Sequence, residues 1–405
     1  MTPLMPIGVP VDFILFALTL AGVALFHRHT LRVAVIGLVA ITLYKLGFGS
    51  FRGVPGIAGL IGLLGHEWVT LANLFGLLLA FALLASHFDA SRLPAVLPRY
   101  LPDDWKGGFV LLLLVFVLSS FLDNIAAAMI GGTMATALFK GRLHVGFLAA
   151  IVGASNAGGA GSVVGDTTTT MMWIAGVPPR QVLDAYVAAL PALLFFGVIA
   201  ARQQHAHQPI VKDAPAGITV DGSRLVIVAA ILFAAIGANV YCNLHDPELL
   251  TRAPMIALAA WLAIVLTGWI RPPDWRLLPG ATRGSVFLLS LVLCAAMMPV
   301  ERLPAASWPV ALGLGFVSAV FDNIPLTALA LHQGGYDWGF LAYAVGFGGS
   351  MIWFGSSAGV ALAGMFPQAR SVGAWVVGGW HIAVGYLIGF ACLLFALGWH
   401  PDLPR

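Results

Sequence analysis

One short polar motif occurs twice in this chain, each time inside apolar, helix-forming sequence. The copies are Ser119-Ser120-Phe121-Leu122-Asp123-Asn124-Ile125 and Ser318-Ala319-Val320-Phe321-Asp322-Asn323-Ile324-Pro325. A carboxylate within an apolar membrane segment is costly unless it faces a partner or a water-filled cavity, so by default it marks a functional site. The two aspartates lie 199 residues apart, close to half of the 405-residue chain. This spacing predicts an internal repeat.

Composition indicates the environment of these motifs. Hydrophobic residues make up 60% of the chain and charged residues only 9%, against roughly a quarter charged in soluble domains. Apolar stretches of about 20 residues, long enough to cross a bilayer, recur throughout. We therefore predict an all-α polytopic membrane protein.

Several other classes are disfavoured. The three cysteines have no paired spacing, which argues against a disulfide framework or a thiolate metal site. The net charge of +3 is too small to indicate a nucleic-acid partner. Because Met1 to Pro10 has no basic residue, we expect a first spanning helix rather than a cleaved signal peptide.

Hydropathy predicts full spans near 11–26, 31–48, 67–87, 181–201, 224–242, 254–270 and 284–300, with a last helix near 373–398. Residues 52–66 are Gly-rich, and the sequence does not decide between an interfacial segment and a re-entrant segment there. Residues 108–139 form two apolar arms of about 14 residues, too short to cross a core about 30 Å thick at about 1.5 Å per residue. We predict re-entrant hairpins at 108–139 and 308–331, each with its Asp-Asn pair at the tip.

Each hairpin is followed by an apolar segment that glycines interrupt, at 144–177 and at 339–365. The matching glycines are Gly158, Gly159 and Gly165 in the first half and Gly348, Gly349 and Gly355 in the second. Glycine allows the backbone to leave the helix and to approach an ion closely, although tight helix packing is the simpler explanation for any one of them. Their recurrence favours two broken transmembrane helices.

The loops that leave the two hairpins differ in charge. The first, Lys140-Gly141-Arg142, is basic, whereas residues 332–338 contain no Lys or Arg. Lys and Arg accumulate in cytoplasmic loops. We therefore expect the first hairpin to open to the cytoplasm and the second to the exterior, which is the inverted-repeat topology of alternating-access transporters.

Two long motifs resemble those of NhaD-type Na⁺/H⁺ antiporters of the ion transporter superfamily, which also contains arsenite permeases and sodium-coupled di- and tricarboxylate carriers. They are Asn156-Ala157-Gly158-Gly159-Ala160-Gly161-Ser162-Val163-Val164-Gly165-Asp166-Thr167-Thr168-Thr169-Thr170-Met171-Met172-Trp173 and Gly348-Gly349-Ser350-Met351-Ile352-Trp353-Phe354-Gly355-Ser356-Ser357-Ala358-Gly359-Val360. The resemblance is dense over 107–178 and 284–392.

This resemblance implies a homodimer in which each protomer has an oligomerisation scaffold and a mobile transport domain. The expected segments are scaffold helices over 1–106, a transport core over 107–201, a linker over 202–223, scaffold helices over 224–303, and a second transport core with the last helix over 304–405. The expected location is the bacterial inner membrane, with lipid and a small ion as partners and no cofactor.

The acidic hairpin tips favour a cation as cargo, because the related carboxylate carriers have Ser-Asn where this chain has Asp-Asn. Carboxylates are hard oxygen ligands that suit a small cation, and a carboxyl group in a desolvated, acidic site can exchange a proton for it. The candidate Na⁺ ligands and proton acceptors are Asp123, Asp166 and Asp322. The candidate neutral ligands are Asn124, Asn156, Asn323, Thr167 and Ser356, with backbone carbonyls at the paired glycines.

Alternatives remain at this point. The three aspartates could instead serve as helix N-caps. Asp166 aligns with Ser356, so the site is expected to be asymmetric. Na⁺(Li⁺)/H⁺ antiport is the leading hypothesis, and transport of an organic anion or arsenite is the second. An intramembrane aspartyl protease is a remote third, because the Gly165-Asp166 motif lacks its first glycine and such an enzyme would not need Asp322.

Overall fold

The structure is a computed structural model that describes residues 10–26, 29–96, 100–211, 219–246 and 248–402. Within these ranges the chain is helical, and the only β-type pairing is an isolated bridge between Phe51 and Val54. Two expectations fall partly outside the described residues. They concern the N-terminal start, over 1–9, and the centre of the predicted linker, over 212–218.

The helices are numbered in chain order. Those of the first half are α1 Val11–Leu25, α2 Thr30–Phe48, α3 Gly56–Ala90, α4 Leu93–Val96, α5 Trp105–Ser119, α6 Asn124–Leu138, α7 Val145–Ala160, α8 Thr167–Ile174, α9 Pro179–Leu183 and α10 Ala185–His207. Those of the second half are α11 Gly222–His245, α12 Leu249–Arg252, α13 Met255–Thr267, α14 Leu278–Ala296, α15 Trp308–Ser318, α16 Asn323–Gln333, α17 Trp338–Gly348, α18 Ser357–Met365, α19 Val372–Gly378 and α20 Trp380–Leu397.

Six helical stretches in the described ranges are long and apolar enough to cross a membrane. They are Thr30–Phe48, Gly56–Ala90, Pro179–His207, Gly222–Cys242, Trp275–Ala296 and Trp380–Leu397. The prediction of an all-α, multi-pass membrane protein is confirmed.

A re-entrant position for residues 52–66 is excluded. Most of this Gly-rich piece is the first part of α3, a continuous helix of 35 residues, about 50 Å long and longer than the bilayer core is thick. Its first glycines do not interrupt the helix, and one of them, Gly59, allows close packing. A Cβ on Gly59 would lie 2.0 Å from the carbonyl oxygen of Val54, so glycine lets the preceding turn pack against the helix.

Two predicted helix ends are also wrong. The span predicted to end at 201 continues to His207, because the buried side chain of Gln204 is anchored by hydrogen bonds to the backbone of Arg142 and His144. The last helix is divided at Gly379, where a Cβ would lie 2.9 Å from the Cβ of Ala149 in α7. Contact with α7 therefore breaks a segment that hydropathy predicts to be continuous.

The helices pack in two groups. In one, α1, α2, α3, α11, α13 and α14 contact one another; in the other, α5–α10 pack with α15–α20. The groups meet where α3 lies against α8 and where α14 lies against α16. The short helices of the two hairpins and of the two interrupted segments all belong to the second group.

The two hairpins open toward opposite ends of α10. Near the start of α10, Gln181 donates a hydrogen bond to Asp402, whose backbone N–H bonds Tyr336 just after the second hairpin. Near the end of α10, Gln204 donates to the carbonyl oxygen of Arg142, just after the first hairpin. The residues that follow the two hairpins are therefore bonded near opposite ends of the helical stretch Pro179–His207, which is long enough to cross a membrane.

Candidate functional site

The two hairpin tips have the same local geometry. Asp123 precedes α6 with φ −52° and ψ 140°, and Asp322 precedes α16 with φ −52° and ψ 141°. Each carboxylate accepts a hydrogen bond from the N–H two residues ahead, at 3.2 Å from Ile125 and 3.0 Å from Ile324. Both aspartates are therefore N-caps, as in the alternative noted above. An N-cap uses one carboxylate oxygen and leaves the other available.

The two interrupted segments also match. Asp166 caps α8 with φ −144° and ψ 145°, and Ser356 caps α18 with φ −142° and ψ 153°. Asp166 accepts from the N–H of Thr168 at 3.2 Å, and Ser356 accepts from the N–H of Gly359 at 3.2 Å. One backbone geometry thus presents a carboxylate in the first half and a hydroxyl in the second.

The paired glycines are required by contact between backbones. A Cβ on Gly158 would lie 2.1 Å from the carbonyl oxygen of Phe116, and one on Gly348 would lie 2.3 Å from that of Gly315. Real Cβ atoms do not approach oxygen so closely, so both positions exclude a side chain. The same crowding, at 2.1–2.7 Å from a carbonyl oxygen, occurs at Gly159, Gly165, Gly349 and Gly355.

Around Ser356 the side chains form a closed, uncharged network, which we call the neutral cap. The amide of Asn124 donates to the amide oxygen of Asn156 at 3.1 Å. The amide nitrogen of Asn156 donates to the hydroxyls of Ser350 at 2.9 Å and Ser356 at 3.1 Å. Both amide hydrogens of Asn156 are thereby used, and all four residues are buried.

Asp166 has fewer side-chain partners, and we call Asp166, Asn323 and Gly346 the acidic cap. Asn323 donates to Oδ2 of Asp166 at 3.4 Å. Gly346 stands ten residues before Ser356, as Asn156 stands ten residues before Asp166. A Cβ on Gly346 would lie 3.4 Å from Oδ2 of Asp166. In the neutral cap the amide of Asn156 faces the hydroxyl of Ser356. In the acidic cap Gly346, which has no side chain, faces the carboxylate of Asp166.

The three candidate carboxylates line two cavities. Asp123, Asp166 and Thr167 line a cavity of about 10 Å³ against α3, room for about one water-sized sphere. Asp322 and Ser357 line a separate cavity of about 240 Å³ against α1 and α14. Ser357 donates to Oδ2 of Asp322 at 3.2 Å.

Asp166 is near enough to both other carboxylates for charge on either one to act on it. No three His, Cys, Asp or Glu side chains in the described ranges are grouped closely enough to hold a metal ion together. The structure thus places Asp123 beside Asp166 and leaves Asp322 in its own cavity.

Hydroxyl groups surround the backbone carbonyls of the first interrupted segment. The carbonyl oxygen of Gly158 accepts from the hydroxyls of Ser120 at 3.2 Å and Tyr186 at 3.1 Å. The hydroxyl of Tyr186 also lies 2.7 Å from the hydroxyl of Ser120, so the two hydroxyls form a small network around this carbonyl, which a cation would have to share with them. The hydroxyls of Thr169 and Thr170 donate to backbone carbonyls of the interruption. Sequence reasoning missed Tyr186, because a single tyrosine in apolar sequence gives no positional signal.

Paired hairpins and paired interrupted helices, with polar side chains at their ends, define a class of architecture typical of secondary transporters. No family model matches the chain. Among curated proteins it is similar to Sodium/proton antiporter 1 of Arabidopsis thaliana, with 28% identity over 74% of this chain and 56% of the relative. It is also similar to the Na(+)/H(+) antiporter NhaD of Vibrio parahaemolyticus, with 26% identity over 64% of this chain and 72% of the relative. A third relative is the Na(+)/H(+) antiporter NhaD of Alkalimonas amylolytica, with 26% identity over 66% of this chain and 63% of the relative.

The predicted resemblance to NhaD-type antiporters is confirmed. The match spans little more than half the length of the plant relative. The names of these relatives are those of transporters, which supports the expectation that the chain is not an enzyme.

Proposed function

We propose that this protein is a secondary active transporter that exchanges Na⁺ or Li⁺ for H⁺, with Asp166 as the central shared ligand. The observation that carries the proposal is the acidic cap. Asp166 is only 2% exposed, shares a cavity with Asp123 and faces a glycine where the other half has an asparagine. The relatives named as sodium/proton antiporters support the same cargo.

Exchange follows from competition for the same oxygens. Negative charge held away from water is unfavourable unless a proton or a cation neutralises it. Oδ2 of Asp166 and the nearby carboxylate of Asp123 offer hard oxygen ligands to a small cation. Asn323 and Thr167 would add neutral oxygens. A cation that binds displaces the proton, and no separate proton site is needed.

We further propose that the two helix groups are a scaffold and a transport unit that move past each other, with scaffold helices forming a homodimer. Both cavities lie where the second group meets helices of the first, which supports this division. The opposite openings of the two hairpins support inverted repeats and alternating access.

The orientation follows from charge. Lys and Arg residues concentrate at the end of the molecule where the first hairpin opens, and by the positive-inside rule this end faces the cytoplasm of the inner membrane. They include Lys106, Lys140, Arg142, Arg202, Arg224 and Arg271.

The test is exchange by purified protein in liposomes that enclose a pH-sensitive dye, challenged in turn by Na⁺, Li⁺, K⁺, citrate and succinate. We expect Na⁺ and Li⁺ to move protons without any requirement for an anion. Uptake that depends on citrate or succinate, with no cation-evoked proton movement, would contradict antiport and restore the anion-transport alternative, which the relatives do not favour.

A further inference from the structure

A large polar cavity lies well apart from the candidate ion site. It has a volume of about 550 Å³ and is formed where the end of α3, the start of α11 and the residues after α13 meet. The N–H of Asp221 donates to the carbonyl oxygen of Ser91 at 2.9 Å and joins the first two elements. Helix α4 directly follows α3, packs on α6 and ends at Val96, nine residues before α5 begins at the open end of the first hairpin. The cavity is therefore at the basic end of the molecule.

The lining carries more positive than negative charge. Arg92, Arg224 and Arg271 line the cavity with one carboxylate, that of Asp221. Nε of Arg271 donates to Oδ2 of Asp221 at 2.9 Å, and Nε of Arg224 is 3.7 Å from the same oxygen. The hydrogen bond from Arg271 holds the pKa of Asp221 below its usual value. The lining therefore contains three guanidinium groups and one ionised carboxylate, which is an excess of two positive charges.

Two of the arginines, Arg224 and Arg271, are held in place by neighbouring side chains. Arg224 donates from one terminal nitrogen to Nδ1 of His87 at 3.1 Å, and His87 is only 2% exposed. Because a guanidinium group can only donate, Nδ1 of His87 must accept. Arg92 has a φ of 63°, a left-handed conformation that is uncommon for residues with a side chain. The recess thus has two guanidinium groups held by side-chain partners, those of Arg224 and Arg271, and an exposed third one, that of Arg92.

The surface next to this recess is apolar and exposed. Trp269 is 91% exposed, and Leu266, Ile270 and Val226 are each more than half exposed. They lie within a few residues of Arg271 or Arg224 in the sequence. Exposed tryptophan is typical of the membrane interface. A ligand in the recess would therefore lie at the headgroup level, with hydrocarbon directly beside it.

We propose that this recess binds the phosphate headgroup of an anionic membrane phospholipid, whose acyl chains lie along the surface around Trp269. Guanidinium groups match phosphate oxygens in a bidentate way, and basic recesses between transmembrane helices on the cytoplasmic side suit anionic headgroups. A free phosphate ion shares the headgroup chemistry but would make no use of the apolar surface. The bound lipid would tie α3, α11 and the segment after α13 together.

The test is a titration of delipidated, detergent-solubilised protein with phosphatidylglycerol or phosphatidylcholine, followed by native mass spectrometry. We expect phosphatidylglycerol to bind more tightly. Arg92→Gln and Arg271→Gln should each weaken it about fivefold, the effect of removing one basic group near an anionic surface. Arg276→Gln is the matched control, because Arg276 is 90% exposed and pairs with Asp274 outside the recess.

Asp221→Asn provides a test of opposite sign. Asn caps a helix as well as Asp does, so α11 should remain folded while the competing negative charge is lost, and phosphatidylglycerol should bind about fivefold more tightly. Millimolar inorganic phosphate should not displace the lipid. Equal binding of the two lipids, unchanged affinity in the arginine variants, or displacement by inorganic phosphate would each overturn the proposal. None of these readouts depends on ion exchange.

Discussion

The acidic cap and the neutral cap have the same backbone conformation at the capping residue and differ in three side chains, because Asp166, Gly346 and Ala160 stand where the neutral cap has Ser356, Asn156 and Ser350. Asp166 and Ser356 cap their helices with φ and ψ angles within 10° of each other. In the neutral cap, the amide of Asn156 fills the space before Ser356 and donates hydrogen bonds to the hydroxyls of Ser350 and Ser356. In the acidic cap, Gly346 has no side chain, and the carboxylate of Asp166 and the methyl of Ala160 lie close to it.

This difference indicates how a duplicated structure can hold a single ion site. The neutral cap supplies its own donors and acceptors and needs no ion. The acidic cap has a charge without a comparable set of donors, since Asn323 makes one long bond to it at 3.4 Å. We expect one half to bind the cation while the other fixes the geometry that the first half needs.

The largest effect is expected from Asp166→Asn. Loss of the charge removes an attraction of about 4 kcal/mol at a separation near 4 Å and an effective dielectric of about 20, or roughly 1000-fold in affinity. The helix cap should survive, because Asn caps as well as Asp. Binding of Na⁺ by calorimetry and exchange in liposomes measure the loss.

Ser356→Ala is the matched change in the neutral cap. It removes a cap worth about 1 kcal/mol of stability and should leave Na⁺ affinity within about fivefold of wild type. Equal losses of affinity in the two variants would mean that both caps bind the ion.

At the hairpin tips, Asp123→Asn and Asp322→Asn should each abolish exchange while the protein stays folded. Asp123 shares the cavity of Asp166, so its loss should weaken Na⁺ binding directly. Asp322 lines the other cavity, and its loss should stop exchange with a smaller effect on Na⁺ affinity. Exchange assays and size-exclusion chromatography measure both properties. If either variant exchanges ions at the wild-type rate, that aspartate serves only as a helix cap.

The apparent Na⁺ affinity should depend on pH through the acidic cap. Because a proton and Na⁺ compete for the same oxygens, affinity should weaken as pH falls, by up to about tenfold per pH unit for one competing proton. Asp166→Asn should remove this dependence. The measurement is Na⁺ activation of exchange at several pH values, and an affinity that does not change with pH would argue against a shared site.

Gly346→Ala tests the close contact between Gly346 and Asp166. The added methyl would lie 3.4 Å from Oδ2 of Asp166 and 3.3 Å from the Cβ of Ala160. Overpacking of this kind costs roughly 1–3 kcal/mol, so Na⁺ affinity should fall about tenfold. Gly62→Ala in α3 is the control, because a Cβ there meets nothing within 4 Å. If both variants bind Na⁺ equally well, the close contact between Gly346 and Asp166 has no role in cation binding.

The smallest effect on ion binding is expected from Asn156→Ala. It leaves Asn124, Ser350 and Ser356 without their buried partner, which should cost about 1–3 kcal/mol of stability. Thermal unfolding measures that loss, and Na⁺ affinity should change little. A large loss of affinity without a loss of stability would instead make Asn156 a cation ligand.

The sequence by itself determined the local features of this protein. Apolar stretches with few charges require helices in a membrane, because only helices satisfy their own backbone there. The Asp-Asn pairs mark the start of α6 and α16, since Asp favours N-caps, and the paired glycines mark both interruptions. Each of these conclusions depends on residues close together in the chain.

Only the tertiary structure decided which of these features meet. Asp166 faces Gly346, 180 residues further along the chain, and Asn156 donates a hydrogen bond to Ser356, 200 residues further along. The hydroxyl of Tyr186 lies within hydrogen-bond distance of the carbonyl oxygen of Gly158. The continuity of α3 through its glycines is a further case. Pairings across such distances are set by how whole helices pack, and local periodicity and capping preferences contain no information about that packing.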